Sequence, residues 1–479
     1  MTKIFTASFL VLAMFCSAAR AADNPNIVFI LVDDMGYGDP GCFNPDSKIA
    51  TPNIDALAHE GMKFTDAHAP GALCHMSRYG LLTGRFPFRT NVNLWRKQPL
   101  IDADQVTIAS LLKSQGYSTA MVGKWHLGFK ENGYENPLPG GPADRGFDSY
   151  FGIRASTDIP PYFYIRGNEA VSPPTDTIED NFSEGWSKIQ GAFWRKGGIA
   201  PDLKLKDVLP RFTDEAIGVI QNHAKSGTEK PLMLYLAYPA PHTPWLPSKK
   251  FQGKSKVSMY GDFVMMVDSM IGKVVLALDE AGMKDDTLLI FSADNGPVWY
   301  DADVKKYDHS SVGVLRGMKA DAWEGGHRMP FIVRWPGKVK AGSVSKQTIC
   351  FTDMLATFAA VTGTELPEGA GPDSFNVLPA MLGTQSEDEP LRGPLVIAAG
   401  GGIMSIRSGP WKLITGLGSG GFTKPNKIKP TKGGPIGQLY NLENDLSETT
   451  NLYLKHPEIV KRLLAELEQV TGAEMSRGL

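Results

Sequence analysis

The sequence predicts an α/β protein built on a large, mostly parallel central sheet. Two observations carry that reading. Apolar runs of strand length recur along the chain, and each is apolar on both faces, as buried parallel strands are. Helical patterns lie between them, and alternating strands and helices build α/β folds. A third observation locates a site. Most of the runs stop at polar side chains, and in such sheets ligands gather beyond the carboxyl ends of the strands.

The N-terminus begins with Lys3, runs through an apolar stretch over 9–15 and reaches Ala19-Arg20-Ala21, a small-x-small cleavage pattern. A signal peptide over 1–21 is predicted, with export to the periplasm or full secretion. The bulky Phe15 before Cys16 argues against a lipoprotein. No later stretch is long and apolar enough to span a bilayer. NIVFILV at 26–32 reads as the first strand, with Asp33 and Asp34 next. Helical patterns cover 53–61, 105–115, 211–225 and 259–281, and Cys74 opens a further helical stretch, CHMSRYGLLTGR. A strand ends near Val122, before Lys124 and His126; another covers 232–238, before His242; a third covers 288–292, before Asp294 and Asn295. PFIVRWPG is one more strand, preceded by EGGHR. From about 390 the chain turns to short strands, tight turns and one amphipathic helix, HPEIVKRLLAELEQV, with a long Gly- and Lys-rich loop over 416–437. The predicted organisation is a main domain over 22–385 and a smaller α+β unit with a short antiparallel sheet over 386–479. A chain of 479 residues is long for a single core, and its net charge of -2 gives no reason to expect a nucleic-acid partner.

Asp33, Asp34, Asp294 and Asn295 offer oxygen ligands only, which favours a hard cation, Ca²⁺ or Mg²⁺. An isolated Asp-Asp or Asp-Asn-Gly is ordinary turn chemistry. Several buried carboxylates at neighbouring strand ends, however, are costly without a cation. Lys124, His126, His242 and Lys319 follow strands or sit in polar loops near them. Around a cation they would make a pocket for a compact tetrahedral anion, and His242 or Lys319 could protonate a leaving oxygen. After signal removal three cysteines remain, Cys42, Cys74 and Cys350. An odd number in an oxidising compartment suggests one disulfide and one reactive thiol.

With these residues in place the chain resembles the type I sulfatase family. The carriers are DDMGYGD at 33–39, CHMSRYGLLTGR at 74–85, GKWHLG at 123–128, PHTP at 241–244, SADNG at 292–296 and RGMKADAWEGGHRMP at 316–330. The resemblance implies an alkaline-phosphatase-like sandwich. It implies that Cys74 is converted by a maturation enzyme to formylglycine, whose hydrate attacks sulfur and later expels sulfate. It implies calcium held by Asp33, Asp34, Asp294, Asn295 and the residue at Cys74. Arg78 and His126 would hold the formylglycine, with His126 assisting sulfate release. Lys124, His242 and Lys319 would bind sulfate and the leaving group. Glu324 and Arg328 would be supportive, and Ser77 would belong to the modification signal. The family's Pro or Ala two places after the cysteine is Met76 here. Met76 is long where Ala is small and lacks the preset backbone of Pro.

Residues 150–210 mix aromatics with Arg and Lys, which suits sugar stacking and anion binding as well as it suits packing. His309, close before Lys319, is expected to face substrate. The region resembles sulfatases acting on sulfated sugars, including N-acetylgalactosamine-6-sulfatase. The leading expectation is exo-action on a sulfated saccharide. Two others stand beside it: a phosphate or phosphonate ester hydrolase, and an inactive sulfated-glycan-binding protein whose Cys74 stays a thiol because of Met76. Oligomeric state is left open.

Overall fold

The computed structural model describes residues 24–477; the expected signal peptide lies outside them. Its main sheet has 11 strands. In chain order these are β1 (Asn26–Asp33), β2 (Met62–His68), β3 (Ser118–Lys124), β4 (Ser149–Ile153), β5 (Tyr164–Arg166) and β6 (Glu169–Ala170). A separate ribbon, β7 (Asp176–Ile178) with β8 (Gly197–Ile199), interrupts the series. Then come β9 (Leu232–Pro241), β10 (Thr287–Ala293), β11 (Arg328–Arg334), β12 (Ser343–Ser345) and β13 (Ile349–Cys350). The spatial order is β12-β2-β11-β10-β1-β9-β3-β4-β5-β6, with β13 beside β2.

The centre, β10-β1-β9-β3-β4, is parallel throughout. These are the apolar runs of the sequence: all eight residues of β1 and all ten of β9 are buried. Burial on both faces is what removes the alternating pattern. β11 and β5 run antiparallel to their neighbours, so the sheet is mixed at its flanks. The principal helices are α1 (Pro52–Glu60), α2 (Cys74–Thr83), α3 (Ile108–Ser114), α4 (Val208–Lys225) and α5 (Ser258–Glu280), with α6 (Asp301–Tyr307), α7 (Met354–Val361) and α8 (Leu378–Met381) shorter.

The second sheet is antiparallel: β14 (Leu395–Ala398), β15 (Met404–Ser408), β16 (Trp411–Ile414) and β17 (Gln438–Asn441). The last helix, α9 (Pro457–Gly472), covers it with Val460, Leu463, Leu467 and Val470, an i, i+3, i+7, i+10 stripe. Residues 416–437 contain no helix or strand, as the sequence suggests.

The two sheets meet through buried charge. Lys412 on β16 lies 2.9 Å from both Glu324 and Glu448, and Arg328 on β11 lies 2.6 Å from Glu324. His68 and His327 complete the cluster through facing Nδ1 atoms 3.0 Å apart. The cysteine expectation fails. Cys42, Cys74 and Cys350 are all unpaired. Cys350 is sealed in the core beneath α9, Cys42 packs half-buried on the main core, and Cys74 lies at the end of a buried helix.

Replacing Lys412 with Met should expose the value of this cluster, because it leaves Glu448 without its cation. Losing one partner of a buried pair costs about 3–5 kcal/mol. Urea unfolding should register that loss, and a change under about 1 kcal/mol would show that the cluster does not fasten the sheets.

Candidate active site

The carboxyl ends of the parallel strands deliver the expected residues to one place. β1 ends at Asp33, and Asp34 follows with φ +63°, which turns its carboxylate back beneath the strand ends. β3 ends at Lys124, and His126 follows at φ +59°. β9 leads to His242, and β10 leads to Asp294 and Asn295. Helix α2 points its N-terminus at them, and Cys74 is its first residue. No side chain caps that end, so its free N–H groups and dipole face the site. The other end stops at Gly84, whose φ of +65° and close approach to Gly371 exclude a side chain.

The turn after β1 is held by Asp39. Its carboxylate accepts from the Gly36 amide at 2.7 Å, from Ser311 Oγ at 2.8 Å and from Tyr260 Oη at 2.5 Å. His309 Nε2 completes the set at 2.9 Å. A Cβ on Gly36 would stand 1.8 Å from the Ser311 carbonyl oxygen, so only glycine lets the turn close. This corrects the expectation for His309. Its ring is fully buried between Asp39 and the Lys48 amide and does not line the cleft.

At the centre three carboxylates face three cations. Arg78 Nε and Nη2 both donate to Asp294 Oδ2, at 3.0 and 2.8 Å, and Nη1 donates to the Lys124 carbonyl at 2.9 Å. Lys124 Nζ donates to Asp33. Lys319 Nζ donates to Asp34 Oδ1 at 2.5 Å and lies 3.2 Å from Cys74 Sγ. Cys74 Sγ is 3.2 Å from Asp33 Oδ1. Asn295 Nδ2 donates to Asp34 Oδ1 at 2.6 Å, which leaves Asn295 Oδ1 buried without a partner.

The electrostatics follow from this packing. Burial favours protonation of Asp33, but Lys124, His242, Arg78 and Lys319 overcome it and hold its carboxyl well below the usual range. Asp294 goes the other way. Burial and the Asp33 charge push it up to about 6, against the pull of Arg78 and Lys124. Burial, then Asp294 and Asp33, raises the Cys74 thiol well above its ordinary value. A neutral thiol is a poor nucleophile. Burial and Lys124 keep His126 neutral, and neither ring nitrogen has a hydrogen-bond partner.

The donors fit a hard cation. Asp33, Asp34, Cys74 and His242 each present a ligand atom within 4.8 Å of the others. Asp294 and the unpartnered Asn295 Oδ1 add oxygen on the same side. Charge agrees as well. The three acids and three cations balance. A divalent cation joined by two anions, one from substrate and one from an ionised nucleophile, would balance again.

Above this cluster opens a cleft of about 200 Å³ that exposes Cys74, His126, His242 and Lys319. Its walls include residues that sequence reading did not single out: His75, Trp95, Arg96 and Phe422. None belongs to a strand-end motif, and Phe422 lies in the long loop. From 150–210 only Ser156, Asp158, Ile159, Ile189 and Arg195 reach the cleft. The aromatics of that segment pack instead: Trp186 stacks on Tyr307 at 5.9 Å and meets Trp245 edge-on at 5.0 Å. Arg195 is fixed by Asp158 at 2.5 Å, while the other Asp158 oxygen is buried without a hydrogen bond, 3.9 Å from His242 Nδ1. A larger groove, about 1050 Å³, runs beside α4 and holds none of the expected residues.

Comparison with known proteins shows which family the chain matches. The family profile described as Sulfatase matches residues 25–364. The N-acetylgalactosamine-6-O-sulfatase of Bacteroides thetaiotaomicron is 34% identical, over 94% of this chain and 93% of that protein. Human steryl-sulfatase is 31% identical over 80% of this chain and 74% of that protein. A solved structure titled for the metabolism of multiple glycosaminoglycans by Bacteroides thetaiotaomicron superimposes with a TM-score of 0.83, at 32% identity over 94% of this chain and 100% of that one.

Replacing His309 with Ala should leave Asp39 Oδ1 without its donor and cost about 1–3 kcal/mol of stability. Substrate KM should stay unchanged. A raised KM at unchanged stability would return His309 to the cleft.

Proposed function

The chain belongs to the sulfatase family and is a sulfuric ester hydrolase, and we propose that it removes sulfate from a sulfated saccharide, exo-acting, through a formylglycine made from Cys74. The observation that carries the nucleophile is the state of Cys74. It stands at the helix N-terminus against Asp33 and Lys319, in surroundings that keep a thiol protonated. A thiol held neutral there is idle, whereas a hydrated aldehyde brings two hydroxyl oxygens to the same spot. Formylglycine supplies the nucleophilic oxygen and a route to release sulfate; calcium, when bound, would draw charge from that oxygen and from the sulfate.

Asp33, Asp34, Asp294 and Asn295 would hold the calcium. Arg78, buried between Asp294 and the Lys124 carbonyl, keeps two of these carboxylates from repelling one another. Lys319 lies on Asp34 and lines the cleft, where it can turn its ammonium group to the sulfate oxygens, while Lys124, fully buried on Asp33, acts through that carboxylate. His242 Nδ1 is 2.6 Å from the Thr243 carbonyl, so Nδ1 carries the proton of the neutral ring and Nε2 faces Asp34 at 3.6 Å. Once protonated, Nε2 can donate to the departing alcohol. Neutral His126 can accept a proton as sulfate leaves.

Sulfate and cation chemistry do not name the alcohol, since relatives at similar identity are described as N-acetylgalactosamine-6-O-sulfatase and steryl-sulfatase. The saccharide reading rests on the cleft. It offers an aromatic wall in Trp95, a guanidinium in Arg195, and unpartnered buried oxygens on Ser156 and Asp158. Such a set suits a ring bearing several hydroxyls better than a sterol. N-acetylgalactosamine 6-sulfate is the first substrate to test. The N-terminal sequence supports export to the periplasm or secretion, and no helix of the described residues is long and apolar enough to cross a membrane.

The deciding experiment is the mass of the tryptic peptide Phe64–Arg78, produced with a formylglycine-generating enzyme. Loss of one sulfur and two hydrogens with gain of one oxygen is expected; unmodified cysteine alone would sink the reading. Met76→Ala should raise the converted fraction if the long side chain slows maturation. Replacing His242 with Ala should lower kcat on a saccharide sulfate by about 10²–10⁴. The loss on 4-nitrophenyl sulfate should be far smaller, because that leaving group needs no proton; equal losses would remove the general-acid role. Calcium should raise the melting temperature of chelator-treated enzyme, and Asp294→Asn should blunt the rise.

A further inference from the structure

We propose that the substrate is an oligosaccharide, and that a second anionic group on the sugar next to the sulfate ester is held by Lys188, Lys424 and Lys427. The proposal rests on the saccharide reading above and extends it beyond the sulfate pocket.

The cleft does not end at Phe422. A second hollow of about 480 Å³ shares Leu73, Ile189 and Phe422 with it, so the two adjoin, with Phe422 between them. The floor of the hollow is backbone. The Gly400 amide donates to the Ala320 carbonyl at 2.8 Å, and a Cβ on Gly421 would stand 2.2 Å from the Ala320 carbonyl carbon. The floor is therefore fastened to the residue after Lys319, and a sugar lying there has a fixed position relative to the sulfate pocket. Glycine on both sides lets the two segments lie against each other and against Ala320.

The rim decides the chemistry. Lys188, Lys424 and Lys427 line it, all exposed and none in an ion pair among the described residues, although Lys188 Nζ stands 5.7 Å over the Phe182 ring. No carboxylate lines the hollow, although the chain as a whole has a net charge of -2. Tyr300 and Asn426 add groups that can bond hydroxyls. Three unpaired cations over a polar floor, opening from a sulfate-ester cleft, match the next residue of an acidic glycan, whether its charge is a carboxylate or a sulfate. The charges sit in solvent, so each contributes modestly and their effect is additive and screened by salt.

The test compares two substrates of the matured enzyme: N-acetylgalactosamine 6-sulfate, and a tetrasaccharide in which that sugar alternates with a uronic acid. The wild type should favour the tetrasaccharide in kcat/KM, and added salt should erode the preference. The triple variant Lys188→Ala, Lys424→Ala, Lys427→Ala should lower kcat/KM for the tetrasaccharide about tenfold, through KM, and flatten its salt dependence. The monosaccharide value should stay within about twofold. An unchanged preference in the variant, or an equal fall on both substrates, overturns the proposal. If the triple variant fails to fold, Lys424→Glu alone should lower the tetrasaccharide value more than the monosaccharide value, and equal effects overturn the proposal. Turnover of 4-nitrophenyl sulfate with neither saccharide cleaved would overturn the saccharide reading, and this proposal with it. A wild type active on both saccharides without preference would overturn this proposal alone.

Discussion

Three carboxylates, Asp33, Asp34 and Asp294, are buried within reach of one another, and the rest of the site answers that cost. Each is met by a cation from a different element: Lys124 from β3, Lys319 from a loop, Arg78 from α2. Breaking any pair would leave a buried charge, a penalty of several kcal/mol. The arrangement is therefore rigid in composition even where lysines can turn.

The second sheet is part of the same design. Segment 70–72, just before Cys74, is bonded to β14: the Ala72 amide donates to the Ala398 carbonyl at 3.0 Å, and the Ala398 amide to the Pro70 carbonyl at 3.1 Å. Ala320 donates to the Ala72 carbonyl at 2.8 Å. The segment before Cys74, the Lys319 loop and the C-terminal sheet thus share one backbone junction. Phe422, from the loop between β16 and β17, then forms a wall of the cleft.

The parts legible in sequence were those governed by short-range rules. A strand buried on both faces is a continuous apolar run, so β1, β3, β9 and β10 could be read, and with them Asp33, Asp34, Lys124, His126, His242, Asp294 and Asn295. Helices α4 and α5 carried their own periodicity. Strands β2 and β4 did not stand out although both lie inside the sheet, because what defines them is pairing: β2 with β11 from far along the chain, β4 with β3 and β5. His309 misled for the same reason: nearness to Lys319 in sequence says nothing about Asp39, which claims its ring from the other end of the chain. Trp95 and Phe422 carry no local pattern and acquire meaning only through what they face. The cysteines were read by parity, yet distance in the fold decides pairing, and the fold keeps them apart.

The junction at Ala398 has a consequence in time. During synthesis Cys74 emerges long before the strand that will flank it, and before the β11–β13 region that completes β2. At ordinary translation rates the interval is on the order of tens of seconds. Through that interval the segment around Cys74 has no β-partner on the C-terminal side and no Lys319 beside it. The enzyme proposed to convert Cys74 would therefore have a window set by chain order, and the last sheet to be made would close it.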